Sequence, residues 1–171
     1  MYKIYKPAIY TKDVLSINYK KLKDQGIRGI IFDIDNTIVK CKDKYPNEKI
    51  KELIKELKNN QFEVFIITNA LKQRALRIGN ELNTKTYYLS MKPSSKNYQK
   101  LMLENNLKSS ELVAIGDQIY TDIKGANKLN IKSILVEPLS KHESIITKIN
   151  RLKENNLIKK HKIIERGSYY E

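Results

Sequence analysis

Short apolar runs that each stop at a polar or acidic residue constrain this chain's fold more than any other feature. "IRGIIFDID" (Ile27–Asp35), "FEVFIITN" (Phe62–Asn69), "LVAIGD" (Leu112–Asp117) and "KSILVEP" (Lys132–Pro138) share that design. "TKTYYLS" (Thr84–Ser90) is a weaker run with β-favouring residues. Runs of this length, rich in Ile, Val and Phe, suit strands buried on both faces. Helical segments lie between them. In "NEKIKELIKELKNN" (Asn47–Asn60), Ile50, Leu53, Ile54 and Leu57 form one stripe, with Asn47 as the N-cap. Ala70–Leu82, Ser94–Asn106 and Asp122–Asn130 follow, and a last helix from about Glu143 to Lys159 carries Ile145, Ile146, Ile149 and Leu152 on one side. The stripes are expected to be core faces.

Strand and helix in alternation predict an α/β fold of three layers, with a mostly parallel five-stranded sheet between helices. No Gly/Ser linker or internal repeat divides the 171 residues, so a single domain is expected. Residues 1–25 form an extension with a helix near Lys20–Gln25, residues 26–138 the core, and residues 140–165 a basic helix, with "RGSYYE" a loose end.

In an open parallel sheet, ligands bind beyond the carboxyl ends of the strands, where the strand order reverses. Asp33 and Asp35, Thr68 and Asn69, Lys92, Asp117 and Asp122 all fall at or just past such ends. Crowded carboxylates repel, so the arrangement is costly unless a cation shares it. Asp33, Asp35, Asp117 and Asp122 suit Mg²⁺, a hard ion that takes oxygen ligands, and Lys92 adds positive charge. Carboxylates, a hard metal, a lysine and a hydroxyl describe a site for a phosphoryl group.

Competing motifs fail. An EF-hand loop starting at Asp33 would need glycine where Ile38 stands and glutamate where Lys44 stands. No P-loop or dinucleotide fingerprint is present. The single Cys41 excludes an internal disulfide and a multi-thiolate zinc site. His142 and His161 are expected to be solvent-facing. No apolar run approaches the ~20 residues of a membrane span, and the amino terminus does not lead into a signal-peptide core, so a cytoplasmic protein is expected, with peripheral membrane contact left open.

"DIDNT" (Asp33–Thr37), "IITN" ending at Asn69, "KP" (Lys92–Pro93) and "GDQIYTD" (Gly116–Asp122), in that order, resemble the four motifs of the haloacid dehalogenase superfamily of phosphotransferases. The approach to the first motif, "GDQIYTDIKGAN" and the basic carboxyl-terminal helix narrow this to a resemblance, over nearly the whole chain, to the YqeG family of small bacterial phosphatases, which is related to phosphatidylglycerophosphate phosphatases. The resemblance implies a Rossmann-like fold and a Mg²⁺-dependent phosphatase. It implies that Asp33 is the nucleophile and Asp35 the general acid and base. Thr68, the Asn69 backbone and Lys92 would bind the phosphoryl group. The metal would sit on Asp33, the Asp35 carbonyl, Asp117 and Asp122.

Only a helix and a strand separate the first motif from the second, and again the second from the third. Neither gap holds a cap domain, so the site is expected to be open. Lid closure ordinarily grips small substrates. Its absence favours a bulky phosphorylated substrate, a lipid headgroup or a macromolecule, met by a rim of Lys40, Lys42, Lys72, Arg74 and Lys96. Phosphatidylglycerophosphate fits the openness, the kinship and the net charge of +14. Tyr2, Tyr5, Tyr10 and Tyr19 are expected to pack on the sheet rather than to anchor in a membrane. The alternative is a basic RNA- or ribosome-associated protein with incidental catalysis, though no aromatic-basic recognition motif supports nucleic-acid binding. Oligomeric state is not legible from these residues.

Overall fold

A computed structural model describes residues 2–141 and 145–170, apart from the side chains of residues 145 and 146. His142 and the side chains of Ile145 and Ile146 therefore lie outside the described residues.

Six strands form one parallel sheet: β1 (Ile9–Thr11), β2 (Gly29–Phe32), β3 (Glu63–Ile67), β4 (Lys85–Tyr87), β5 (Leu112–Gly116) and β6 (Lys132–Val136). The order is β1-β6-β5-β2-β3-β4. The expected five strands are the inner ones and β4. The sixth, β1, has three residues and no apolar run, so it gives no periodic signal; it forms because β6 supplies a partner in register, Ile9 to Ile134 and Thr11 to Val136.

The helices are α1 (Tyr19–Asp24), α2 (Glu48–Asn59), α3 (Lys72–Glu81), α4 (Lys96–Glu104), α5 (Lys124–Asn127) and α6 (Ile145–His161). Alternate residues of β2 face opposite layers. Ile30 and Phe32 pack with Ile50, Leu53, Ile54 and Leu57 of α2 and with Ala75 and Ile78 of α3. Ile31 packs on the other side with Tyr98 and Leu101 of α4 and Ala126 of α5. The stripe on α2 is thus a core face, and the Asn47 side chain accepts from the Ile50 N–H at 3.0 Å, as a cap should.

Two expectations fail at the carboxyl terminus. The tail is not loose: Tyr10 and Tyr170 exchange backbone hydrogen bonds of 2.9 Å in an antiparallel bridge, and Ile163 and Ile164 pack beside Tyr10. Nor is the described part of the apolar stripe of α6, Ile149 and Leu152, a core face. Ile149 and Leu152 stand 48% and 67% exposed, while Glu154 on the opposite side is completely buried. Hydrophobicity alone orients a helix only when no polar group has a better partner inside, and Glu154 has two. It accepts from the Tyr120 N–H at 3.0 Å and from Arg151 at 3.1 Å. His161 is half-buried, its ring stacked 3.5 Å from that of Tyr2. Of the other early tyrosines, Tyr10 is fully buried, Tyr19 donates to the Val14 carbonyl and Tyr5 meets Tyr120 edge-on.

Candidate active site

From β2 the chain runs outward to β3 and β4, then returns to β5 and β6 on the other side. The reversal therefore lies between β2 and β5, and the residues just past their tips are Asp33 and Asp117. The Asp33 N–H donates to the Ile115 carbonyl at 3.0 Å, so the ladder holds the residue to its last backbone atom. A tight turn follows. The N–H groups of Thr37, Ile38 and Val39 converge on the Ile34 carbonyl, and Asn36 takes the left-handed conformation at φ 62°. Asn tolerates that region better than most residues, which lets Asp35 swing back beside Asp33.

Asp122 reaches the same place through a wide, π-type turn at Ile119–Ile123. Gly116 makes room for it: a Cβ there would lie 2.3 Å from the Asp122 carboxyl carbon. One oxygen each of Asp33, Asp117 and Asp122, all buried, lies within 4.8 Å of the others. Lys92 Nζ donates to Asp33 Oδ1 and Asp122 Oδ1, both at 2.6 Å, and to the Ile67 carbonyl at 3.0 Å. Asn69 fixes Lys92 from behind, its Oδ1 accepting the Lys92 N–H at 2.7 Å. Thr68 is buried, and its hydroxyl accepts from the Ala70 N–H at 3.1 Å.

The structure also redefines Arg74, expected on the rim, and brings in residues of α6 that sequence spacing left aside. Arg74 clasps Asp35 Oδ1 through Nε and Nη2, at 2.9 and 2.8 Å, and ties down the carbonyls of Asp43 and Lys40. It is a structural partner of Asp35 and not simply a rim charge. Thr37 donates to Asp117 Oδ1 at 3.3 Å, and Arg151 from α6 pairs with Asp117 Oδ2 and the Asp117 carbonyl. Thr147 and Asn150, also on α6, line the cavity of about 410 Å³ with Asp33, Asp35, Thr68 and Lys92. No inserted lid separates the motifs, yet one wall is a helix from the far end of the chain. Nothing local in "IITKINRLKENN" announces this, because its function depends on where the fold lays it. A larger hollow of about 710 Å³ between the amino-terminal segment and α2 contains none of the strand-tip residues, so chemistry and not size marks the site.

Among the described residues, Asp33, Asp35, Asp117, Asp122 and Glu154 contribute five carboxylates to this network and Lys92, Arg74 and Arg151 three cations. With all five ionised, the deficit of two positive charges equals one divalent ion, and the donors are all oxygen, so the residues fit such a metal. The local electrostatics carry the same mark. Burial, and then the charges of Asp122 and Asp35, push the Asp33 carboxyl up to about 6 despite Lys92. Burial likewise drives Asp117 well above the carboxylate range, with Arg151 opposing. Burial pulls the Lys92 ammonium toward neutrality, but Asp122 and Asp33 outweigh it and its pKa rises.

Comparison with known proteins agrees with this geometry. The sequence profile of the haloacid dehalogenase-like hydrolase family matches residues 40–136, a stretch that begins just after the first aspartate pair. The chain is 30% identical over 156 residues, 91% of each chain, to the Probable phosphatase YqeG of Bacillus subtilis (strain 168). It is 26% identical over 157 residues to the chloroplastic/mitochondrial Phosphatidylglycerophosphate phosphatase 1 of Arabidopsis thaliana, covering 85% of this chain and 45% of that one. Among solved structures, a cobalt-bound deoxy-D-mannose-octulosonate 8-phosphate phosphatase from Haemophilus influenzae shares the fold, with TM-score 0.53 and 14% identity over 81% of this chain and 90% of that one. An uncharacterized protein from Listeria monocytogenes serotype 4b does so with TM-score 0.55 and 15% identity over 78% of this chain and 99% of that one. A parallel sheet with its carboxylates at the reversal point, matched by family and by near full-length kinship, places this chain among the haloacid dehalogenase-like hydrolases, in the YqeG family of phosphatases.

Proposed function

We propose that the chain is a Mg²⁺-dependent phosphomonoesterase working through an aspartyl-phosphate on Asp33. The observation that carries this reading is the convergence of Asp33, Asp117 and Asp122 within 4.8 Å beside Lys92. An Asp33 oxygen attacks phosphorus as the bond to the leaving oxygen breaks, and Asp35 gives that oxygen a proton. Asp35 then takes a proton from water, whose oxygen attacks the same phosphorus and frees Asp33 and inorganic phosphate. Lys92 holds one Asp33 oxygen at 2.6 Å, so the nucleophile needs little reorganisation. Thr68 and the Asn69 backbone are assigned to the phosphoryl oxygens. Arg74 takes one oxygen of Asp35, leaving the other for the leaving-group proton. Asp33, the Asp35 carbonyl, Asp117 and Asp122 would hold Mg²⁺, which supplies neutralisation of phosphoryl charge when bound.

For substrate we assign a phosphomonoester on a bulky anionic carrier, with phosphatidylglycerophosphate as the first candidate. Its support is the kinship with the Arabidopsis phosphatase, the absence of an inserted lid and the net charge of +14. Hydrolysis of p-nitrophenyl phosphate, with and without Mg²⁺, beside Asp33→Asn tests the chemistry. Equal turnover by wild type and variant would end it. Phosphatidylglycerophosphate in mixed micelles, compared with sugar phosphates, tests the substrate; a higher kcat/KM for a small soluble ester would exclude the lipid.

A further inference from the structure

Eight non-glycine residues in the described chain have left-handed backbone. Six are polar: Asn36, Gln61, Asn83, Asn106, Asn130 and Lys162. The two apolar ones are Leu89 and Met91, at φ 47° and 50°, flanking Ser90 in the loop from β4 to α4 that delivers Lys92. Left-handed backbone disfavours a branched or bulky side chain and suits Asn or Gly. Burial cannot explain the choice, because Leu89 is 51% exposed and Met91 80%. Nor does the loop need them to hold its shape. The Leu89 N–H donates to the Ala70 carbonyl at 3.2 Å, the Ser90 N–H to the Thr68 carbonyl at 3.0 Å, and Asn97 to the Ser90 hydroxyl at 2.8 Å. The chain thus keeps two strained, wetted apolar side chains on a loop that polar contacts already fix.

Their neighbours share this character. The Leu89 and Ser90 bonds join this loop to the turn after β3, where Leu71 is 72% exposed and lines the catalytic cavity. Arg74 joins that turn to the loop after β2, where Tyr45 is 56% exposed. All three loops leave the same edge of the sheet. Among them stand the exposed lysines Lys40, Lys42, Lys44, Lys72 and Lys96, against two exposed acids, Asp43 and Glu48. Separate apolar side chains set in a field of lysines suit the headgroup boundary of an acidic bilayer. A stable protein interface would instead need a contiguous apolar centre.

We infer that this rim is a membrane-docking surface, with Leu71, Leu89 and Met91 inserting at the headgroup boundary of an anionic bilayer while the flanking lysines meet its phosphates. The mouth of the cavity would then face the lipid, so a phosphoryl group presented at the bilayer could enter without extraction. The orientation rests on reading that cavity as the catalytic one; the docking itself does not.

Sedimentation of the full chain with vesicles tests the surface. Binding is expected to phosphatidylcholine–phosphatidylglycerol vesicles and not to phosphatidylcholine alone, and to weaken between about 0.1 and 0.5 M salt. Leu89→Asn combined with Met91→Asn should weaken it about tenfold or more, as should Lys72→Glu combined with Lys96→Glu. The asparagine pair suits the backbone, so its melting temperature should match or exceed wild type, and its turnover of p-nitrophenyl phosphate should be unchanged. No binding by wild type, or equal binding by the asparagine pair, would overturn the inference. Self-association that the asparagine pair abolishes, without vesicle binding, would overturn it in favour of a second copy. Vesicle binding with this mutational pattern in a protein inert toward p-nitrophenyl phosphate would sustain the docking and remove only the catalytic reading.

Discussion

Asp33 bears a conflict between folding and function. Its carboxyl rises to about 6 because burial and neighbouring carboxylates disfavour the charge. The unfolded value is about 3.9, so without metal the native state takes up this proton first as pH falls. Metal-free protein should therefore gain stability on acidification from pH ~7 toward ~5 through this residue, with buried Asp117 acting in the same direction. Asp33→Asn keeps the shape and an acceptor for Lys92. It should raise the metal-free melting temperature, by an amount corresponding to roughly 2 kcal/mol, flatten that pH dependence and abolish hydrolysis. Calorimetric melts across pH check all but the last. Arg74 is the second residue to test. Arg74→Ala frees Asp35 and unties α3 from the carbonyls of Asp43 and Lys40, and should lower kcat about ten- to a hundredfold. KM should change less, because the lost contacts position Asp35 and do not bind the phosphoryl group.

Single elements carry constraints that no residue shows alone. The last residue of β5, Gly116, has no side chain because the π-type turn lays Asp122 directly against it. Gly116→Ala would place a Cβ 2.3 Å from the Asp122 carboxyl carbon and 2.4 Å from its Cβ, atoms near the main chain that cannot rotate away. The turn must shift, and Asp122 leaves Lys92. We expect about 2 kcal/mol lost in denaturant unfolding and at least about a hundredfold lower turnover. Helix α6 obeys a different rule from α2. Its Ile149 and Leu152 face water because Arg151 and Glu154 find their partners inside; Arg151 meets Asp117 and Glu154 accepts from the Tyr120 N–H, while Leu157 and Ile158 further along pack against the Tyr10 cluster. Glu154→Leu, more apolar and of similar bulk, should nonetheless destabilise by about 1–3 kcal/mol in thermal unfolding, since it strands the Tyr120 N–H and leaves Arg151 with Asp117 alone of its two carboxylate partners.

Across the whole molecule, the site with its carboxylates ionised holds two negative charges more than its cations cancel, within a protein of net charge +14. A divalent ion should therefore bind the folded state and stabilise it. Mg²⁺ at about a hundred times its Kd should add about 2.7 kcal/mol, seen as a raised melting temperature that Asp117→Asn removes. The positive remainder lies outside the site, on loops and helices, where it can draw anionic surfaces without competing for the metal.

Periodicity alone determined the buried strands, the α2 core face with its Asn47 cap, and the edge of the sheet where Asp33, Thr68, Lys92, Asp117 and Asp122 emerge. These were legible because an apolar run or a helical stripe depends on neighbours a few residues away. Strand β1, the Tyr10–Tyr170 bridge, the inward polar face of α6 and the clasp of Arg74 on Asp35 were decided only by tertiary structure. Each is a pairing between segments distant in sequence, and its free energy comes from a partner whose position no local pattern encodes.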